Sequence, residues 1–229
     1  GAIRLDLPKT DLKVKDQKVL VFPQIESESR EMVSELMVLA GRVIAQYSIE
    51  NNISMPYLSQ ASGKFSEEII ENINNLSLSK AFEAAKGFSR SKLSVTPSLH
   101  SGLGLEAYIR VTSPMRRYLD LVVQQQLINY ISGLELMNKD EIKDRIKVIN
   151  SPMSKTNKAV RQSIDHFRCL YFKQNRSWEG QGTVIEINGN KTLLMIPEFA
   201  MITQVKFKTK PQLDEKIKLK VSSIDLFER

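Results

Sequence analysis

The sequence predicts an α+β protein, a mainly helical portion followed by a small antiparallel β-barrel. Two observations carry that prediction. From Ser27 to about Trp178 apolar residues recur at the spacing of amphipathic helices, and from Glu179 they alternate with polar residues as strands do. The switch sets a domain boundary near residue 178, dividing the chain into 1–178 and 179–229. A third observation bears on function: 33 Lys and Arg stand against 26 Asp and Glu, a net charge of +7, which favours a polyanionic partner, nucleic acid first.

The elements follow in order. The opening GAIRLDLPKTDLKVKDQKVLVFPQ alternates apolar and polar residues between turn signals, as short strands or a hairpin do. Beginning at Ser27, SESREMVSELMVLAGRVIAQYSIENN reads as a long helix with Met32, Leu36, Leu39, Val43 and Ile44 on its core face. Shorter helices are expected at Ser66–Asn74 and Ser79–Lys86, then a loop, SVTPSLHSGLGLEAY. In VTSPMRRYLDLVVQQQ, Thr112 or Ser113 reads as an N-cap and Pro114 as the first helical residue. Lys139–Asn150 reads as another helix, and Ser151-Pro152 as the start of a long one reaching about Trp178. The last fifty residues carry strand alternation and an Asn188-Gly189 hairpin signal, the texture of a small OB-type barrel, which an SH3-like barrel shares.

Composition excludes several classes. At 229 residues and 41% hydrophobic content the chain can bury a real core. Its single cysteine, Cys169, permits neither an internal disulfide nor a thiolate metal cluster, which fits a reducing, cytoplasmic setting. No apolar run is expected to reach the roughly 20 residues that span a bilayer, and the opening lacks the basic-apolar-small order of a secretory signal. No membrane partner is expected, and the oligomeric state stays open.

The motif VTSPMRRYLDL poses a physical question. Arg116 and Arg117 stand in the expected first turn of a helix, the end that already carries about half a positive charge, where Asp or Glu is favoured. Unpaired amides, the dipole and a planar guanidinium together suit a phosphate. The alternative is that the arginines pair with Asp120 or another carboxylate.

The longer stretch HSGLGLEAYIRVTSPMRRYLDLVVQQQL, His100 to Leu127, resembles the C-terminal signature of the ribonuclease II and ribonuclease R (RNB) family of exoribonucleases, with its His, Gly-Leu-Gly stretch, aromatic, TSPIRRY and Asp-Leu pair. SREMVSELMVLAGRVIA resembles the family helix that follows the catalytic channel, and the terminal barrel resembles the family's RNA-binding OB domain. The resemblance implies that residues 1–178 are the C-terminal part of an RNB-type catalytic domain and 179–229 an OB-type barrel. It places the family's phosphate-binding arginine on Arg116 and the glutamate that helps hold the terminal nucleotide on Glu35. A guanidinium fixed at the phosphate stabilises charge that develops during hydrolysis, and Glu35 can accept a ribose hydroxyl or stand as a solvated glutamate. Thr112 and Ser113 read as caps first and phosphate contacts second, with Arg117 positioning the strand or pairing with Asp120. Tyr108 and Tyr118 can stack on RNA or pack half-buried. Lys206, Lys208, Lys210, Lys216, Lys218 and Lys220 alternate along two expected strands and can follow an RNA backbone or discourage edge aggregation.

The sequence departs from the family at four places. Gln124-Gln125 stands where His-Arg is common, Leu5 where a base-stacking aromatic often lies, and Arg161 near a position that tends to be acidic. The run of aspartates that holds magnesium in the family has no counterpart here. Glu67-Glu68 and Asp140-Glu141 fall in expected first turns and Asp214-Glu215 in a barrel turn, while His100 and His166 are too far apart to suggest a site. The resemblance therefore implies part of a 3′-to-5′ exoribonuclease that hydrolyses single-stranded RNA to nucleoside monophosphates. The missing N-terminal part of the catalytic domain is the implied partner, with Mg held by residues outside this chain. The alternative is a non-catalytic RNA-binding protein that keeps the fold. A DNA-binding helical protein is disfavoured, since nothing resembles a base-reading recognition helix.

Overall fold

The computed structural model describes residues 5–25, 27–73, 75–189, 191–224 and 226. In chain order its elements are β1 (Thr10–Lys15), β2 (Lys18–Pro23), α1 (Glu28–Glu50), β3 (Tyr57–Ser59), α2 (Glu67–Glu71), α3 (Leu78–Gly87), β4 (Lys92–Ser94), α4 (Tyr118–Ile131), α5 (Lys139–Gln174), β5 (Glu179–Asn188), β6 (Lys191–Ile196), β7 (Met201–Val205) and β8 (Lys216–Lys220). They sort into two compact units. The first takes Glu26–Lys64 and Gly87–Lys155, and the second takes Arg4–Ile25, Phe65–Lys86 and Thr156–Arg229. Residue 178 lies within the second.

In the first unit α1 starts at Ser27, whose hydroxyl accepts the Arg30 amide at 3.4 Å. The unit's core joins Ala45 of α1 to Ile53, Met55, Tyr57, Ile109, Val111 and Val123, and a second cluster joins Leu119 and Val122 of α4 to Ile142 and Ile146 of α5. Gly41 decides the spacing, because a Cβ there would collide with the Tyr108 ring and the Ile109 carbonyl. α4 ends in a Schellman cap. Gly133 takes φ +66, and Leu134 and Gly133 donate to the carbonyls of Asn129 and Tyr130 at 2.8 and 3.2 Å.

The second unit contains the antiparallel sheet β7-β6-β5-β8, with a left-handed Gly189 (φ 58) at the β5–β6 turn. Phe172, Ile196 and Phe199 are buried together, with Val21, Tyr171, Trp178 and Leu219 packed against them. The expected hairpin is β1–β2, closed by Asp16 and Gln17 with φ of 49 and 62. Gln174 clasps it, accepting the Val19 amide at 3.0 Å and donating to the Gln17 carbonyl at 2.8 Å.

Five expectations need correction. Of the five apolar residues expected to face the core from α1 only Ile44 does, packing against the first unit's core; Met32, Leu36, Leu39 and Val43 are more than half exposed, and the buried side is Gly41, Ala45 and Ser48. Small residues allow the close backbone approach, so the larger side chains turn outward. α1 is also long and apolar enough, by length and composition, to cross a membrane, contrary to the reading of the sequence. Lys139–Asn150 and the segment from Ser151 form one helix, α5, with Pro152 inside it. Pro152 and Val148 are both exposed, so water can bond the carbonyl that the missing amide leaves free. Lys206, Lys208 and Lys210 follow β7 rather than lie in it; only Lys216, Lys218 and Lys220 share a strand face. Finally, α4 begins at Tyr118, not Pro114. α2 spans Glu67–Glu71, and its expected end at Asn74 lies outside the described residues.

Candidate functional site

The late start of α4 is produced by one buried carboxylate. Asp120, 1% exposed, accepts the Ser113 amide at 3.0 Å and the Arg117 Nη2 at 2.8 Å. With Ser113 held, the amides of Arg116 and Arg117 close a turn onto its carbonyl at 3.2 and 3.0 Å. Arg117 is then extended (φ −130, ψ 110) and becomes the N-cap residue without a side-chain cap bond. Its Nη2 also lies 3.4 Å from Thr112 Oγ1. Thr112, Ser113, Arg117 and Asp120 thus form one network, which resolves the two arginines into different roles. Arg117 is tied to Asp120, whereas exposed Arg116 makes no side-chain hydrogen bond or ion pair among the described residues.

The segment leading into this turn is fixed from three sides. The Tyr108 carbonyl accepts the Leu58 amide at 2.9 Å, the Ile109 amide reaches the Gly41 carbonyl at 3.4 Å, and Gln124 Nε2 donates to the Val111 carbonyl at 3.1 Å. Behind it, His100 is 8% exposed, packs edge-on against Tyr108 at 5.6 Å, and leaves Nδ1 without a partner among the described residues. Burial, helped by the charge of Arg110, lowers the His100 pKa and so favours the neutral ring. Burial likewise pushes the Tyr108 hydroxyl up. The Gly-Leu-Gly stretch makes a one-turn helix at Ser101–Leu103 closed by left-handed Gly104 (φ 64), and the Gln60 side chain receives the Gly102 amide at 3.1 Å.

A family profile described as the RNB domain matches residues 1–133, more than half of the chain. The chain belongs to the RNB domain family. An uncharacterized ribonuclease of Synechocystis is 29% identical over 232 residues, covering 98% of this chain and 34% of that protein. The fold matches the Dss1 exoribonuclease of Candida glabrata with a TM-score of 0.83 at 24% identity, covering 97% of this chain and 31% of that one. It matches Mycoplasma genitalium RNase R, solved with ribose-methylated single-stranded RNA, with a TM-score of 0.81 at 18% identity, covering 100% and 45%. The chain therefore spans about a third of the length of the Synechocystis relative.

Within this RNB chain the first unit holds Glu35, Tyr108, Thr112, Ser113, Arg116, Arg117 and Tyr118, and the second holds Lys206 and Lys208. Glu35 is exposed on α1, six residues before the Gly41 that meets Ile109. Tyr108 is half-buried between α1 and His100, whereas Tyr118 is 41% exposed at the start of α4. Lys206 and Lys208 are exposed, with no ion pair among the described residues. Among the described residues no three His, Cys, Asp or Glu side chains gather to hold a metal ion, so those residues do not fit a catalytic magnesium site. Two glutamines outside the expected site residues organise it. Gln124, which stands where His-Arg is common in the family, anchors Val111. Gln126, fully buried, holds the Ser54 carbonyl at 3.0 Å and both backbone groups of Met137 at 2.9 Å. The signal was present: Gln126 falls on the helical spacing of Leu119, Val122 and Val123.

Proposed function

We propose that this chain is the C-terminal part of a 3′-to-5′ exoribonuclease that hydrolyses single-stranded RNA to nucleoside monophosphates. In this reading it supplies phosphate and ribose binding. The single observation that carries it is the contrast at the start of α4, where Asp120 takes Arg117 and leaves the Arg116 guanidinium exposed and unpaired among the described residues. A planar cation on a braced turn suits the scissile phosphate better than a mobile lysine does. Glu35 accepts a ribose hydroxyl, the group by which a protein tells RNA from DNA. Tyr118 offers a ring to a base, while Thr112 and Ser113 brace the turn. The sheet of the second unit acts as the OB-type part of the enzyme, with Lys206 and Lys208 on the RNA backbone. The preceding part of the catalytic domain supplies the carboxylates for Mg, and the setting is cytoplasmic.

Binding a phosphate needs cations and donors, whereas cleaving its ester also needs activated water and neutralised charge. The expected result is that residues 1–229 alone retain RNA and release no nucleotide, while the full-length protein releases labelled nucleotide from a 3′-end-labelled oligoribonucleotide in magnesium. Metal-dependent cleavage by residues 1–229, after rigorous removal of contaminating nuclease, overturns the division of labour. Failure of the full-length protein to cleave favours the non-catalytic RNA-binding alternative. In the full-length protein Glu35→Ala should narrow the gap between RNA and DNA affinity; an equal fall in both removes Glu35 from sugar selection.

A further inference from the structure

Helix α1 has two different sides. Gly41, Ala45 and Ser48 recur at i, i+4 and i+7 and are buried, with the Ile109 amide on the Gly41 carbonyl. At 3.6 residues per turn, Met32, Leu36, Leu39 and Val43 line the opposite side, and they are 60%, 56%, 51% and 55% exposed. Four large apolar residues in one stripe, with Val33 (50% exposed) beside it, make a contiguous exposed apolar patch, the kind of surface that calls for a partner where isolated apolar residues do not. A helix that packs its small residues on one side and presents large ones on the other is an inner helix lacking a layer.

We infer that this stripe is the seat of the polypeptide that precedes Gly1 in the full-length protein. The identity of the occupant rests on the reading that the chain is part of a longer ribonuclease; the bare stripe does not. Three observations favour that occupant. The matched region is 34% of the Synechocystis relative and 45% of the RNase R chain, so more than half of each relative lies outside it. A second copy fits poorly, because a stable dimer buries roughly 800 Å² per partner and must offset the entropy of association, which a covalently continuous segment largely avoids. A bilayer fits poorly too, because crossing it would strip Gly41, Ala45 and Ser48 from their packing. Burial of one side of Glu35's helix would then brace that glutamate for ribose.

The test uses the full-length protein with benzoylphenylalanine in place of Leu39, irradiated in solution and mapped by mass spectrometry. Crosslinks to peptides preceding Gly1 are expected. Crosslinks to a second copy, recognised by mixing heavy and light protein, to lipid, or to nothing but solvent overturn the inference. A second readout avoids reliance on one bulky substitution. In a Cys169→Ser background, Leu36→Cys should react with a soluble maleimide at least about 10-fold more slowly than Val148→Cys, which stands at a position 67% exposed. Equal rates, or protection that appears only at high protein concentration or with vesicles, overturn it. Neither readout depends on nuclease activity, so loss of the ribonuclease reading would leave this result interpretable.

Discussion

The start of α4 and the lysine-bearing strand β8 both present positive charge, and they hold it differently. At α4 one cation is spent on a buried carboxylate so that its neighbour stands on a rigid turn. Along β8, Lys216, Lys218 and Lys220 project from an edge strand, exposed and without ion pairs among the described residues. Fixed charge can choose a point on a ligand; mobile charge can only follow a polyanion. The first arrangement suits a single phosphate, and the second suits a backbone through counterion release.

The largest test of that contrast is kinetic. In the full-length protein Arg116→Lys keeps the charge and loses the fork, so turnover should fall by about 2–4 kcal/mol of barrier, the scale of one transition-state donor. If Arg116→Lys and Arg117→Lys slow nucleotide release equally, the division between the two arginines is wrong.

Stability should divide the same pair in the opposite sense. Arg117→Ala leaves Asp120 buried with only the Ser113 amide, and should cost about 3 kcal/mol in urea unfolding, toward the low end for a broken buried pair because Arg117 is partly exposed. Arg116→Ala should stay within about 0.5 kcal/mol. Equal losses would mean that Arg116 is structural too.

How much of this was legible in the sequence depends on which force set each feature. The β1–β2 hairpin, α1, α4 and the four-stranded sheet come from periodicity and turn residues, which are local, and they stand near their expected places. What failed needed knowledge of distant partners. The side on which α1 packs is decided by Tyr108 and Ile109 meeting Gly41, a contact between residues more than sixty apart. The start of α4 is decided by Asp120 reaching back to Ser113, which a capping rule for the first residues alone does not contain. The sequence alone leaves Arg117 free to meet either a phosphate or Asp120, and only the folded geometry pairs it with Asp120.

A similar long-range carboxylate serves as a smaller test in the second unit. Asp214, in a left-handed turn (φ 62), accepts the Ser79 amide at 2.8 Å and the Ser79 hydroxyl at 2.6 Å, capping the first turn of α3. Burial pushes its carboxyl up, but the bonds from Ser79 and Ser77 and the charge of Lys80 outweigh it and hold the group below its ordinary value of 3.8. A depressed carboxylate stabilises fully above its unfolded value and loses that contribution as pH falls through the lower folded value. Asp214→Asn should therefore cost about 1 kcal/mol at pH 7 and much less at pH 2. A loss of equal size at both values would show that the cap does not depend on charge.

The smallest effect tests the mobile side of the contrast, and it must avoid disturbing the core. Deleting residues 179–229 would remove Phe199 and Ile196 from Phe172 and open the second unit, so weakened RNA binding by such a truncation would say little about lysines. Point substitutions are cleaner: Lys206→Gln and Lys208→Gln change exposed side chains after β7, and Lys218→Gln changes an exposed one on β8. If each lysine sits at a phosphate of single-stranded RNA, each substitution should reduce the magnitude of the slope of log affinity against log salt by about 0.7. The three should add, because diffuse contacts have no shared geometry to lose. Arg116→Gln offers the comparison within one assay. Its change in slope should be no larger than one lysine's, while its effect on turnover exceeds all three lysines together. A slope that ignores the lysines would make those on β8 guards of the sheet edge alone, leaving RNA binding to the first unit.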